Sequence, residues 1–128
     1  MTVYLDTSAA AKLLVEEPES ARSASYLDGL EAQEDIMSSG LLETELRRFG
    51  TRVDIPQSAV TEVLARVGLI EPDRSMFLEA ALLPGPQLRS LDALHLATAI
   101  RLDADAVVAY DRRLLEAARS LGVNAVSP

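Results

Sequence analysis

Four acidic side chains stand out for where they fall: Asp6, Glu43, Asp92 and Asp111. Asp6 follows the β-prone run Val3-Tyr4-Leu5, and Asp111 follows Ala106-Val107-Val108-Ala109-Tyr110. Glu43 lies three residues beyond Gly40, and Asp92 lies two beyond Ser90. Each acid alone has an ordinary structural role. Asp6 and Asp111 suit helix N-caps, where a carboxylate accepts backbone N–H bonds. Glu43 suits the acid half of a capping box, and Asp92 suits the positive end of a helix dipole. As a set they carry more. Two like charges ~4 Å apart cost ~1 kcal/mol even in bulk water, and several times more when partly buried. Raised pKa values, arginine partners or a divalent cation would each offset that repulsion. A site with only oxygen donors selects hard cations, Mg²⁺ or Mn²⁺ first.

The elements around these acids read as short buried strands alternating with helices. Residues 3–5, 36–38, 69–70, 106–110 and 123–126 are strand-like. Helical spacing covers 9–15, 18–27, 40–49, 57–67, 73–83, 91–102 and 111–120, with Gly29, Gly50, Gly68 and Gly122 as stops and Ser90 as the cap of its helix. No two-residue hairpin turns intervene. The pattern predicts a three-layer α/β/α sandwich around a central, mostly parallel sheet, in one domain spanning residues 1–128. Sites in open α/β sheets form beyond the carboxyl ends of the strands. Asp6, Glu43 and Asp111 would meet at that edge, joined by Asp92 if its helix points the same way. Asp103 and Asp105 precede a strand, so they belong to the opposite edge and to turn chemistry.

Composition narrows the chemistry. The 128 residues include no cysteine and one histidine, which excludes disulfide frameworks, thiolate zinc sites and cysteine nucleophiles. Twenty acids against twelve bases give a net charge of −8. A protein that grips nucleic acid by bulk charge is usually basic, so any polyanion must be met at a local site. No apolar run approaches the ~18–20 residues of a membrane span, and the N-terminus lacks a signal-peptide pattern. A cytoplasmic protein without a membrane partner is expected. His95 lies one helical turn after Asp92, where it could donate to that acid or simply pack.

Three segments resemble the PIN-domain ribonucleases of the small VapC toxin type. They are Val3-Tyr4-Leu5-Asp6-Thr7-Ser8-Ala9-Ala10-Ala11-Lys12-Leu13 and Ser38-Ser39-Gly40-Leu41-Leu42-Glu43-Thr44-Glu45-Leu46-Arg47-Arg48, followed by a third that runs from Leu91-Asp92-Ala93-Leu94-His95-Leu96-Ala97-Thr98-Ala99 through Ala109-Tyr110-Asp111-Arg112-Arg113-Leu114 to Gly122-Val123. The resemblance implies a PIN-like fold and magnesium-dependent hydrolysis of RNA phosphodiesters by an activated water. It implies that Asp6, Asp92 and Asp111 hold the metal, Mg²⁺ or alternatively Mn²⁺, and that Glu43 ligates it or orients the attacking water. Thr7 and Ser39 would add hydroxyls beside Asp6 and Glu43. Arg47, Arg48, Arg112 and Arg113 are candidates to guide the RNA backbone. A cognate VapB-like antitoxin and a homodimer are the partners it implies. One position departs: family members often carry Ser or Thr two residues before the last acid, where this chain has Ala109.

Other readings fit less well. A phosphoacceptor receiver domain needs a late lysine, and the only lysine is Lys12. A nucleotide-binding domain needs a glycine-rich phosphate loop, which is absent. The remaining alternative is a catalytically silent PIN-like domain that binds protein or RNA, for which four retained acids have no evident use.

Overall fold

Alternation within the first strand sets the layering. In β1 (Thr2–Leu5), Val3 and Leu5 face one way and Tyr4 the other, as a period of two requires. The computed structural model describes residues 1–30 and 35–128. Four more strands join β1: β2 (Asp35–Ser39), β3 (Gly68–Ile70), β4 (Ala106–Val108) and β5 (Ala125–Val126). Their order is β3-β2-β1-β4-β5, and every pairing is parallel. The mostly parallel sheet expected from the sequence is therefore parallel throughout the described residues.

Helices cover both faces. On the Val3 and Leu5 side lie α1 (Thr7–Ala11), α2 (Ser20–Leu30), α3 (Leu41–Arg52) and α4 (Gln57–Leu64), which bury Ala9, Ala10, Leu27, Leu42, Leu46 and Val60. On the Tyr4 side lie α6 (Ser90–Arg101) and α7 (Arg112–Ser120), with α5 (Arg74–Ala81) against α6. Helix α6 buries every residue from Ala93 to Ala99. A helix so enclosed needs apolar residues all round, and its two interior polar residues must find partners. Thr98 bonds the carbonyl of Leu94 at 2.7 Å, and His95 bonds side chains described below.

The boundaries differ from the sequence reading in informative ways. Gly29 lies inside α2, and Gly50 lies inside α3 instead of closing it. A Cβ on Gly50 would stand 3.0 Å from Val60 Cγ2, so glycine there permits close approach of α3 and α4. Ser90 is the first residue of α6 and not its cap; Arg89 takes the cap position without a side-chain bond. Asp92 is thereby the third helical residue, where free N–H groups and the dipole favour an acid. Asp105 accepts from the Thr2 amide at 2.8 Å, and Asp103 has φ 51°, which confirms turn duties at the far edge.

Leu46 is fully buried between α3 and the sheet. Leu46→Ala is expected to lower unfolding free energy by about 2–5 kcal/mol, measured by chemical denaturation.

Candidate active site

Because all strands run one way, their carboxyl ends share an edge, and the chain leaves that edge through helix caps. Asp6 ends β1 and caps α1. Its amide donates to the Val108 carbonyl at 3.0 Å, and its Oδ2 accepts from the Ser8 amide at 3.1 Å and the Ser8 hydroxyl at 2.5 Å. Asp111 follows β4 by three residues and caps α7, where its Oδ1 accepts from the Leu114 amide at 3.0 Å. The capping roles available to these acids are thus real, and each uses one oxygen. Asp6 Oδ1, Asp111 Oδ2 and both oxygens of Asp92 accept no hydrogen bond among the described residues.

Ser8 joins two segments that are far apart in sequence. While donating to Asp6, its hydroxyl accepts from the amides of Tyr110 at 2.8 Å and Asp111 at 3.3 Å. One oxygen therefore fixes the first acid against the backbone of the last. This role was missed at the sequence level, where Thr7 drew attention instead. The signal available was a hydroxyl two residues past an N-cap acid, a spacing suited to side-chain capping bonds. The hydroxyl expected at position 109 is absent, and Ser8 brings one to the neighbouring backbone from the other direction.

Asp92 registers how crowded the edge is. Its pKa is pushed up to about 6, first by burial, then by the charges of Asp111 and Asp6, with a further contribution from Glu45. Three aspartates from three separate segments are thus close enough for Asp92 to feel the other two. Among the described residues, no three acidic or histidine side chains are already gathered in a metal-holding arrangement. The donor set still fits a hard divalent cation. It is all oxygen, it carries uncompensated negative charge, and each aspartate keeps at least one oxygen uncommitted.

The fourth acid at this edge is Glu45 and not Glu43. Glu43 has a side chain 52% exposed and pairs with Arg47 four residues on, with Arg47 Nε at 3.0 Å. Glu45 has a side chain 25% exposed and accepts from Thr7 Oγ1 at 2.9 Å and His95 Nε2 at 2.5 Å. Two residues along a helix turn a side chain by about 200°, so the two glutamates cannot address the same neighbours. The sequence held a clue. Glu43 and Arg47 have the i, i+4 spacing and order that favour a surface ion pair. Burial works to raise the Glu45 pKa, but bonding to His95, the charge of His95 and bonding to Thr7 together hold it below the ordinary value. For His95, burial favours the neutral ring, and the Glu45 bond with the charges of Asp6, Glu45 and Asp92 overcomes this to raise its pKa.

The remaining candidates separate cleanly. Thr7 touches Glu45 as stated. Ser39 is buried and works for the backbone: its amide donates to Tyr4 Oη at 3.1 Å, and its Oγ accepts from the Leu41 amide at 3.2 Å. Arg47 is occupied by Glu43, Gln57 and Thr61. Arg48, Arg112 and Arg113 are exposed and make no ion pair among the described residues, with Arg112 and Arg113 directly after Asp111. Lys12 binds Glu17 and Glu19 and lies over the Tyr110 ring, 5.3 Å from its centroid.

A parallel five-stranded sheet, helices on both faces and an acid-lined carboxyl edge define a PIN-like α/β protein. The chain matches the PIN domain family over residues 3–120. Ribonuclease VapC35 of Mycobacterium tuberculosis (strain CDC 1551 / Oshkosh) is 42% identical over 132 residues, covering 98% of this chain and 96% of the relative. Ribonuclease VapC46 of Mycobacterium tuberculosis (strain ATCC 25618 / H37Rv) is 38% identical over 130 residues, with 98% and 97% covered. The crystal structure of Mycobacterium tuberculosis VapC20, described as a sarcin-ricin loop cleaving toxin, gives a TM-score of 0.75 at 18% identity, covering 98% of this chain and 99% of that one. VapBC2 from Rickettsia felis, bound to a DNA fragment from its promoter, gives 0.79 at 18% identity, with 98% of each chain covered. The chain belongs to the PIN domain family, and within it to the VapC ribonucleases of toxin–antitoxin systems.

Two predictions test this geometry. The folded state holds the Asp92 proton between the ordinary carboxylate value of 3.8 and about 6, so the metal-free protein loses stability as pH rises through that window. Asp92→Asn should flatten that part of the profile and raise the melting temperature at pH 7 by about 4 °C, an effect on the order of 1 kcal/mol, read by thermal denaturation in EDTA. Ser8→Ala should cost about 1–3 kcal/mol, because two amides and a carboxylate lose their shared partner. The same variant should cleave RNA more slowly if the clip sets the Asp6 to Asp111 spacing, read in a single-turnover assay.

Proposed function

We propose that this chain is a metal-dependent endoribonuclease, with Asp6, Glu45, Asp92 and Asp111 as its site. The observation that carries the reading is Asp92, a half-buried carboxylate lifted to about 6 by burial and by its two fellow aspartates. Holding a half-buried carboxylate beside two others is costly and has a use if a cation and a phosphate share that edge. Asp6, Asp92 and Asp111 would hold Mg²⁺ or Mn²⁺ through their uncommitted oxygens. A bound cation of this kind supplies activation of water at neutral pH and polarisation of a phosphoryl oxygen.

The chain's own residues do the rest. Glu45, kept ionised by Thr7 and His95, is an acceptor for a proton at Oε2, which takes no hydrogen bond among the described residues. Arg112 and Arg113 lie beside Asp111 with uncommitted guanidinium groups, which suit bidentate contact with a phosphate. Arg48 is available further along α3. A local cation also explains how a chain of net charge −8 engages a polyanion. A VapB-like antitoxin is the natural counterpart, since VapC proteins are the close relatives and VapBC and FitAB complexes share the fold. A second copy of this chain is the other partner, with Phe77, Leu78, Leu82 and Leu91 as exposed apolar surface for protein contact.

The test is cleavage of total RNA with Mg²⁺ or Mn²⁺. Asp6→Asn and Glu45→Gln should each lower the rate by about 100-fold or more, and EDTA should abolish it. Glu43→Gln should cleave within about twofold of wild type, as expected for an exposed ion pair. RNA binding without cleavage in either metal would favour a silent binding module instead.

A further inference from the structure

A line of buried polar groups crosses the sheet-to-helix layer and ends at Glu45. Tyr4 is fully buried in the central strand, and His95 is 1% exposed in the central helix. Tyr4 Oη accepts from the Ser39 amide at 3.1 Å and stands 2.7 Å from His95 Nδ1. The rings meet edge to face, with centroids 5.8 Å apart. At the other side of the imidazole, Nε2 lies 2.5 Å from Glu45 Oε1, which also accepts from Thr7. Five residues from β1, the start of α1, the end of β2, α3 and α6 are thus joined.

Burying such a line has no advantage for stability alone. Polar groups lose hydration on burial and at best recover it in their new bonds, and an apolar core of the same shape serves as well. What the line provides is orientation. With both ring nitrogens engaged, the imidazole cannot turn. A glutamate, with three rotatable bonds, is then held by one oxygen, leaving Oε2 as the atom without a protein partner.

We infer that His95 is a positioning residue: clamped by Tyr4, it fixes Glu45 Oε1 so that Oε2 serves the space shared with Asp92. This rests on the nuclease reading of the site, but part of its test does not depend on activity. His95 is the only histidine, so its ring signals in a ¹⁵N-edited spectrum assign themselves. The Nε2 proton should appear as a protected, downfield signal in the wild type and disappear in Glu45→Ala. The kinetic arm uses two isosteres and the RNA oligonucleotide best cut by the wild type in Mg²⁺. The Gln amide nitrogen reaches the place of Nε2, whereas that of Asn reaches only the place of Nδ1. His95→Asn should lower kcat about 10–100-fold with KM within about twofold, and His95→Gln should recover most of that loss. Tyr4→Phe should lower kcat in the same direction, which covers the case in which a His95 variant does not fold. The inference is overturned by an unprotected Nε2 proton in the wild type, by wild-type kcat in His95→Asn or Tyr4→Phe, or by equal losses in the Asn and Gln variants when both are folded. A wild type that cleaves no RNA in either metal, yet shows the protected proton, sinks the nuclease reading and leaves the clamp standing.

Discussion

Gathering partly buried carboxylates at one sheet edge is the constraint around which this protein is built. Asp6, Asp92 and Asp111 come from distant parts of the chain, and the parallel sheet delivers them to one edge. Nothing in the apolar core requires acids there. The fold tolerates them by giving Asp6 and Asp111 capping duties, which engage one oxygen of each with backbone amides. Asp92, which caps nothing, has a raised pKa, from burial first and then from the charges of Asp111 and Asp6. In Asp6 and Asp111 the capping bonds are therefore confined to one oxygen of the carboxylate, and the other has no hydrogen-bond partner among the described residues.

That division explains what could and could not be read from the sequence. The layered architecture was legible because Val3, Tyr4 and Leu5 alternate and because Ala93 to Ala99 form an enclosed helix. The three aspartates could be proposed from the sequence because each sits where a strand gives way to a helix or where a helix begins. Helix ends were less so: Gly50 looked like a stop, and only the closeness of Val60 shows why a glycine lies inside α3. The glutamate was misjudged for a related reason. Glu43 and Glu45 both flank the apolar stripe of Leu42 and Leu46, and spacing along α3 cannot say which flank turns toward α6. The deciding partners, Thr7 and His95, are 38 and 50 residues away in sequence.

His95 illustrates how a polar residue inside a helix resists interpretation. Its position one turn after Asp92 suggests service to that acid, yet its ring nitrogens go to Tyr4 and Glu45. The imidazole thus links the sheet to α3 across the layer boundary. Tyr4 contributes to two layers at once, its ring to the apolar cluster and its hydroxyl to the polar line.

The Ser8 clip has a consequence for biosynthesis. Its hydroxyl needs amides more than a hundred positions later in the chain. A ribosome-bound fragment that stops short of Tyr110 cannot bring the first and last acids together, whatever else has condensed. The anchor that sets Asp6 against the last strand is therefore unavailable to a nascent chain until Tyr110 and Asp111 have been added and folded onto it.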